Sequence, residues 1–115
     1  MPRFLAIVHS NPRPGREREY NEWYDTKHLN DIIETGVVAA ARRFRTVADR
    51  DDAPQQYVTL YEIEADDLRQ ARRIIAGADD PADADVIPAL IESESVTMTF
   101  YELVTERVAH DGSSD

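Results

Sequence analysis

Aromatic and imidazole side chains crowd residues 20–29, in the first half of the chain. Tyr20, Tyr24 and His28 recur every four residues, so on a helix they form one continuous ridge. Trp23 lies beside that ridge. A helix that only fills a core favours Leu, Ile and Ala, because these side chains need no hydrogen-bond partners. The stretch is therefore either a structural aromatic cluster or the wall of a pocket, and the residues alone leave both open.

Further candidate binding groups lie on segments with strand-like patterns. His9 ends the first of these segments, where a polar side chain either faces a cleft or meets solvent. Arg43 and Arg45 would share one face of a strand and Arg42 the other. An arginine in a cleft holds a carboxylate or an enolate, whereas a surface ion pair is the commoner outcome. Three tyrosines alternate on later strands, where each could either donate to a bound carbonyl or simply pack: Tyr57, Tyr61 and Tyr101.

No pattern in the sequence predicts a metal or a cofactor. The chain has no cysteine, and its three histidines, at positions 9, 28 and 110, do not share a ligand motif. The acidic run Asp79–Asp85 lacks the glycine and closing glutamate of a calcium loop, so it is expected to be a solvated connector. Four glycines form no phosphate-binding loop. One histidine would suffice to ligate haem, but we predict a protein that works without a cofactor.

Length and charge narrow the class of protein. The 115 residues carry a formal net charge of −10 and allow one domain, predicted over residues 1–108 with a frayed tail at 109–115. The net negative charge falls after residue 50, where 16 acidic side chains face four basic ones, and this half of the chain repels phosphate backbones. We therefore expect no nucleic-acid partner. No apolar run reaches the roughly 18 residues of a membrane span, and no signal peptide is visible, so a cytoplasmic protein is expected.

The hydrophobic patterns predict a ferredoxin-like α+β fold. The expected order is β-α-β-β-α-β, which gives a four-stranded antiparallel sheet with both helices on one face. The elements are predicted at Pro2–His9, Arg16 to about Thr35 (closed by Gly36), Val37–Val47, Tyr57–Ile63, Asp66 or Asp67 to about Ala76 (ended by Gly77), Val86–Ile91 as a short helical turn, and Ser95–Val104, with a turn at Ala48–Pro54.

The other face of this sheet would also be apolar. It would present Phe4 or Leu5, Val58 or Leu60, and Met98 or Thr99 to solvent. A sheet that is apolar on both sides is usually covered on both sides. We therefore predict a homodimer formed through the open sheet face.

Four features follow one another along the chain: Tyr20-x-x-Trp23-Tyr24-x-x-x-His28, then Gly36, then a strand with Arg43-Phe44, and finally Thr99–Leu103. Together they resemble the EthD-like branch of the dimeric α+β barrel superfamily. The resemblance implies a homodimeric barrel with a cleft between helices and sheet that holds a small, often hydrophobic molecule. The resemblance implies the fold but not one particular reaction, because proteins of this superfamily catalyse several different reactions.

The resemblance also implies roles for individual residues. His28 matches the helix histidine that borders the cleft, and we predict it as the proton-transferring group, since imidazole titrates near neutral pH. Tyr24 would orient its ring or hold a substrate oxygen, Trp23 would form a stacking wall, and Asp25 is a more exposed alternative acid. The function predicted is acid–base chemistry of the dehydratase, cyclase or isomerase type on a small aromatic or polyketide-like compound. A cofactor-independent monooxygenase and a non-catalytic binding or accessory protein remain the alternatives.

Overall fold

The computed structural model describes residues 1–47 and 56–110. The turn predicted at Ala48–Pro54 lies outside these residues, as does most of the predicted tail. Four strands form one sheet: β1 (Arg3–Ser10), β2 (Ala40–Arg45), β3 (Tyr57–Glu64) and β4 (Thr97–Glu102). They lie in the order β2-β3-β1-β4, and all three pairings are antiparallel. This is the predicted ferredoxin-like α+β arrangement.

Local sequence signals mark the end of the first long helix and the start of the first helix after β3. A long helix runs without interruption through α1 (Glu17–Trp23), a π-helical turn (Tyr24–His28) and α2 (Leu29–Glu34); α3 (Leu68–Ala76) and the short α4 (Val86–Leu90) follow β3. Gly36 adopts a φ of +76° and ends the long helix, as predicted. Asp67 caps α3 by accepting a hydrogen bond from the Gln70 amide at 2.8 Å. In the described part of the chain, no helix has the length and apolar character to cross a membrane.

Alternation along β1 defines the two faces of the sheet. Phe4, Ala6, Val8 and Ser10 are buried, whereas the residues between them are only half-buried. The buried apolar residues share one core with the helices, through Ile32 of α2 and Ala71 and Ile75 of α3. The helices therefore cover one face of the sheet, here called the helix face. The opposite face, here called the open face, carries Leu5, Val58, Leu60 and Thr99, while Phe4 and Met98 belong to the helix face.

Two strands are shorter than the sequence indicates. β2 begins at Ala40 instead of Val37, because the chain must first return from the helix layer to the sheet after Gly36. Val38 is buried in the core on the way, and Ala39 makes the first sheet hydrogen bond to Glu62. β4 begins at Thr97, because the preceding residues Ser93–Ser95 form a 3-10 turn. Neither difference moves the predicted site.

Candidate functional site

A π-helical turn places His28 and its neighbours. Tyr24–His28 form this turn, in which the Leu29 amide donates to the Tyr24 carbonyl. Thr26 Oγ1 donates to the Glu22 carbonyl at 2.6 Å, and Asn30 donates to the Thr26 carbonyl at 3.1 Å. Both side chains bond to main-chain carbonyls one helical turn earlier. Such turns occur frequently at functional sites.

The imidazole of His28 is buried and has aromatic and polar neighbours. The Trp23 indole stacks on it with ring centroids 4.5 Å apart and an interplanar angle of 20°. The Tyr24 ring meets it edge-on at 5.0 Å. Its Nε2 lies 3.3 Å from the Tyr61 hydroxyl, and its Nδ1 lies 3.8 Å from a carboxylate oxygen of Asp79. Both ring nitrogens therefore face a polar group, while the Trp23 stacking fixes the plane of the ring.

A cavity of about 210 Å³ opens beside this imidazole. Polar groups border it where His28, Tyr61 and Asp79 meet, and the rest of its wall is mainly apolar. A cavity of about 150 Å³ can hold benzene, so this one matches a single substituted ring. The apolar lining consists of Val8, Ile32, Ile75, Ala76, Ile87, Ile91, Val96 and Met98, with Trp23, Tyr24 and Ser10 completing the wall.

Burial sets the protonation states around the cavity. It lowers the pKa of His28, and the Asp79 carboxylate opposes this effect only in part. It raises the pKa of the Tyr24 and Tyr61 hydroxyls, which therefore stay protonated at neutral pH. The site thus combines a neutral imidazole, able to accept a proton, with two phenols that can donate hydrogen bonds.

The lowered pKa of His28 predicts a pH-dependent stability. Below about pH 6.5 the unfolded chain binds a proton at this imidazole that the folded chain does not bind. The free energy of unfolding should therefore fall as the pH drops through 6.5 towards the lower pKa of the folded state. His28→Gln removes the imidazole and therefore this part of the pH dependence. Urea denaturation of both proteins at pH 8 and pH 5.5 should show the larger loss in the wild type, and equal losses would contradict the prediction.

Tyr20 and Arg43, both predicted as binding residues, lie outside the cavity and contact residues that line it. Tyr20 is 1% exposed and its hydroxyl bonds Ser10 Oγ at 2.6 Å. The Arg43 guanidinium lies 4.4 Å from the centroid of the Tyr24 ring and donates to Asp25 at 2.8 Å. Neither residue lines the cavity. Asp25, the alternative acid, is exposed and engaged by Arg43.

His9 and Tyr101 lie on the open face of the sheet. In the register, His9 pairs with Thr97 and Tyr101 pairs with Leu5, all on strand positions that point away from the helices. The sheet separates both side chains from His28. The structure therefore brings together His28, Tyr24 and Trp23 in the cavity wall, places Tyr20 and Arg43 behind it, and leaves His9 and Tyr101 apart.

The acidic connector after α3 contributes to the site, which the sequence did not predict. Asp79 lines the cavity, and the next residues are tied to the long helix by Lys27, the single lysine of the chain. Its ammonium lies 3.1 Å from Asp80, 2.9 Å from Asp83 and 2.7 Å from Asp31. These contacts raise the pKa of Lys27. The three carboxylates are close enough to hold a metal ion, but Lys27 already contacts all of them.

The sheet order and the one-sided helices define a ferredoxin-like α+β protein. An ethyl tert-butyl ether D (EthD) family protein from Bacillus halodurans C-125 matches with a TM-score of 0.61 at 11% identity, over 88% of this chain and 99% of that chain. A protein of unknown function from Nitrosomonas europaea gives 0.58 at 17% identity, over 96% and 97%. No family model and no curated protein matches. The chain has an EthD-like fold, and its function must be argued from its own residues.

Proposed function

We propose that this protein binds a small, neutral aromatic or polyketide-like molecule in the His28 cavity and transfers a proton to or from it, without a cofactor. One observation carries the proposal: a buried imidazole lies at the polar border of a mainly apolar cavity, beside a phenol hydroxyl. Dehydration, cyclisation and isomerisation all use such proton transfers, and a positioned acid or base typically contributes about 10²- to 10⁴-fold in rate.

The lining of the cavity supports a neutral ligand. Among the described residues, no lysine or arginine borders the cavity, and its charged group is the Asp79 carboxylate. A carboxylate ligand would enter an apolar space beside a negative charge without a cation to balance it. A phenol or a ketone avoids this cost, and its oxygen can accept a hydrogen bond from the Tyr24 or Tyr61 hydroxyl.

Trp23 provides a direct test of binding, because it is the only tryptophan of the chain and forms part of the cavity wall. Titration with 4-methylphenol should quench its fluorescence saturably. The matched anion 4-methylbenzoate should bind at least tenfold more weakly. Equal binding of the two, or binding of neither, would contradict the proposed ligand class.

Proton transfer can be tested without the natural substrate. His28 Nε2 would remove an α-proton from phenylacetone, and a tyrosine hydroxyl would hydrogen-bond the enolate oxygen. In D₂O the imidazolium proton would exchange with solvent, and the imidazolium would then return a deuteron to the carbon. Nuclear magnetic resonance should show deuterium exchange that is accelerated by the wild type and lost in His28→Gln. Binding without exchange would instead favour an accessory binding protein, and consumption of O₂ with a phenol would favour the monooxygenase alternative.

The proposal includes a homodimer formed through the open face. Leu5, Val58 and Leu60 are only half-buried there, and Phe44 and Tyr101 are about half exposed. A concavity of about 610 Å³ lies on this side, bordered by Leu5, Leu60 and residues 103–107. Apolar surface of this kind is typical of a protein–protein contact.

Leu60→Glu should therefore convert a dimer into a monomer. It would place a carboxylate at the centre of the contact, opposite a second apolar sheet. Analytical ultracentrifugation should give about twice the 13.1 kDa chain mass for the wild type and a single chain for Leu60→Glu. Val37→Glu, at an exposed site outside the sheet, is the matched control and should stay dimeric. A monomeric wild type would overturn the dimer proposal.

A further inference from the structure

We propose that Asp79 is a positioning residue for His28: its carboxylate holds the imidazole in the tautomer with the proton on Nδ1, so that Nε2 is the basic nitrogen. This inference rests on the proposed role of His28 as a base. It gives a function to a carboxylate in a segment that the sequence predicts to be a solvated connector.

The two nitrogens of the imidazole face groups that favour opposite protonation. A neutral imidazole has one nitrogen that donates and one that accepts. The Asp79 carboxylate oxygen lies 3.8 Å from Nδ1, too far for a direct hydrogen bond but close enough for its negative charge to favour a proton on that nitrogen, whereas the Tyr61 hydroxyl, 3.3 Å from Nε2, can donate a hydrogen bond. The arrangement is satisfied when Nδ1 carries the proton and Nε2 carries the lone pair. Stacking on Trp23 fixes the plane of the ring.

The backbone on both sides holds Asp79 against the imidazole. Ala78, immediately before it, is buried in the core. Asp80, immediately after it, accepts from the Ala82 amide at 2.9 Å and from Lys27 at 3.1 Å. Asp83 binds the same ammonium with a side chain that is 5% exposed. The carboxylate of Asp79 is half exposed, but its main chain is fixed next to His28.

With the proton on Nδ1, the Nε2 lone pair is available to a ligand in the cavity. Tyr61 and His28 both line the cavity, so a ligand oxygen or carbon acid at its polar border can meet the Nε2 lone pair in place of the Tyr61 hydroxyl. With the proton on Nε2 instead, the same nitrogen could not accept a proton from the ligand. The tautomer therefore decides whether His28 can begin a reaction as a base.

The tautomer of His28 can be measured on the full chain with ¹⁵N-labelled histidine at pH 8. Long-range ¹H–¹⁵N correlation separates the protonated ring nitrogen from the downfield unprotonated one, and His28→Gln identifies the signals of His28 among those of the three histidines. The wild type should show a proton on Nδ1. Asp79→Ala should shift the population towards the Nε2-protonated form that prevails in solvent, and Asp79→Ser should do the same. Asp85→Ala removes another exposed carboxylate of the connector and should change nothing.

Two results would overturn the assignment of Asp79. One is a wild-type His28 with its proton on Nε2, and the other is an unchanged tautomer in both folded Asp79 variants. The measurement needs no ligand, so it is independent of the proposed function. Failure of the phenylacetone exchange with an intact tautomer result would remove the proposed catalysis and leave the Asp79 contact in place.

Discussion

Replacing Tyr20 by Ala is expected to lower the free energy of unfolding by about 4 kcal/mol, the range found when a buried aromatic ring is removed. Tyr20 is among the most deeply buried side chains of the described chain, at 1% exposure. Its ring contacts those of Tyr24 and Tyr57, with centroids 5.0 and 5.3 Å away. Loss of the ring would therefore leave a void directly behind the cavity wall.

The smaller change Tyr20→Phe separates the ring from the hydroxyl. It removes the 2.6 Å hydrogen bond to Ser10 and should cost about 1 kcal/mol. Urea denaturation measures both variants, and Tyr20→Phe should still bind 4-methylphenol like the wild type. If Tyr20→Phe instead kept its stability and lost the phenol, Tyr20 would be a ligand contact, as its place in the sequence motif suggests.

The fold was predictable because its signals are local. Gly36 and Asp67 mark helix ends by their own conformational and hydrogen-bonding preferences, and β3 alternates clearly between its two faces. Side-chain direction in β1 was harder to predict. Phe4 to Val8 are apolar without interruption, so periodicity cannot say which face His9 shares, and the pairing with β3 and β4 decides it. His9 and Tyr101 consequently lie on the open face of the sheet.

The candidate site was predictable only in its helical part. Trp23, Tyr24 and His28 lie on one helix, so their proximity follows from sequence spacing. Asp79 lies 51 residues after His28 in the chain. Nothing in the spacing of the acidic residues predicts that one of them contacts this histidine. Lys27 ties the acidic connector to the long helix through its contacts with Asp80 and Asp83. The sequence gives no sign of these contacts, because a lysine beside a histidine is common and the carboxylates that bind it lie far along the chain.

Replacing Lys27 by Met is expected to lower the melting temperature by several degrees and to weaken phenol binding in the cavity. The oxygens of Asp31, Asp80 and Asp83 lie within 4.8 Å of one another, and the substitution removes the cation that they share. The side chain of Asp83 is 5% exposed, so water screens its repulsion from the other two poorly. The connector should move away from the long helix and take Asp79 away from His28.

Asp83→Asn distinguishes this electrostatic effect from a loss of packing. In the wild type it should destabilise the protein, because it removes a carboxylate bonded to Lys27. In the Lys27→Met background it should stabilise the protein, because it removes one of three mutually repelling charges. Thermal melting of the four proteins forms a double-mutant cycle, and the change of sign is the diagnostic result. If Asp83→Asn destabilised both backgrounds equally, the Lys27 contacts would contribute nothing to holding the connector, and Asp79 would depend on Ala78 alone for its place beside His28.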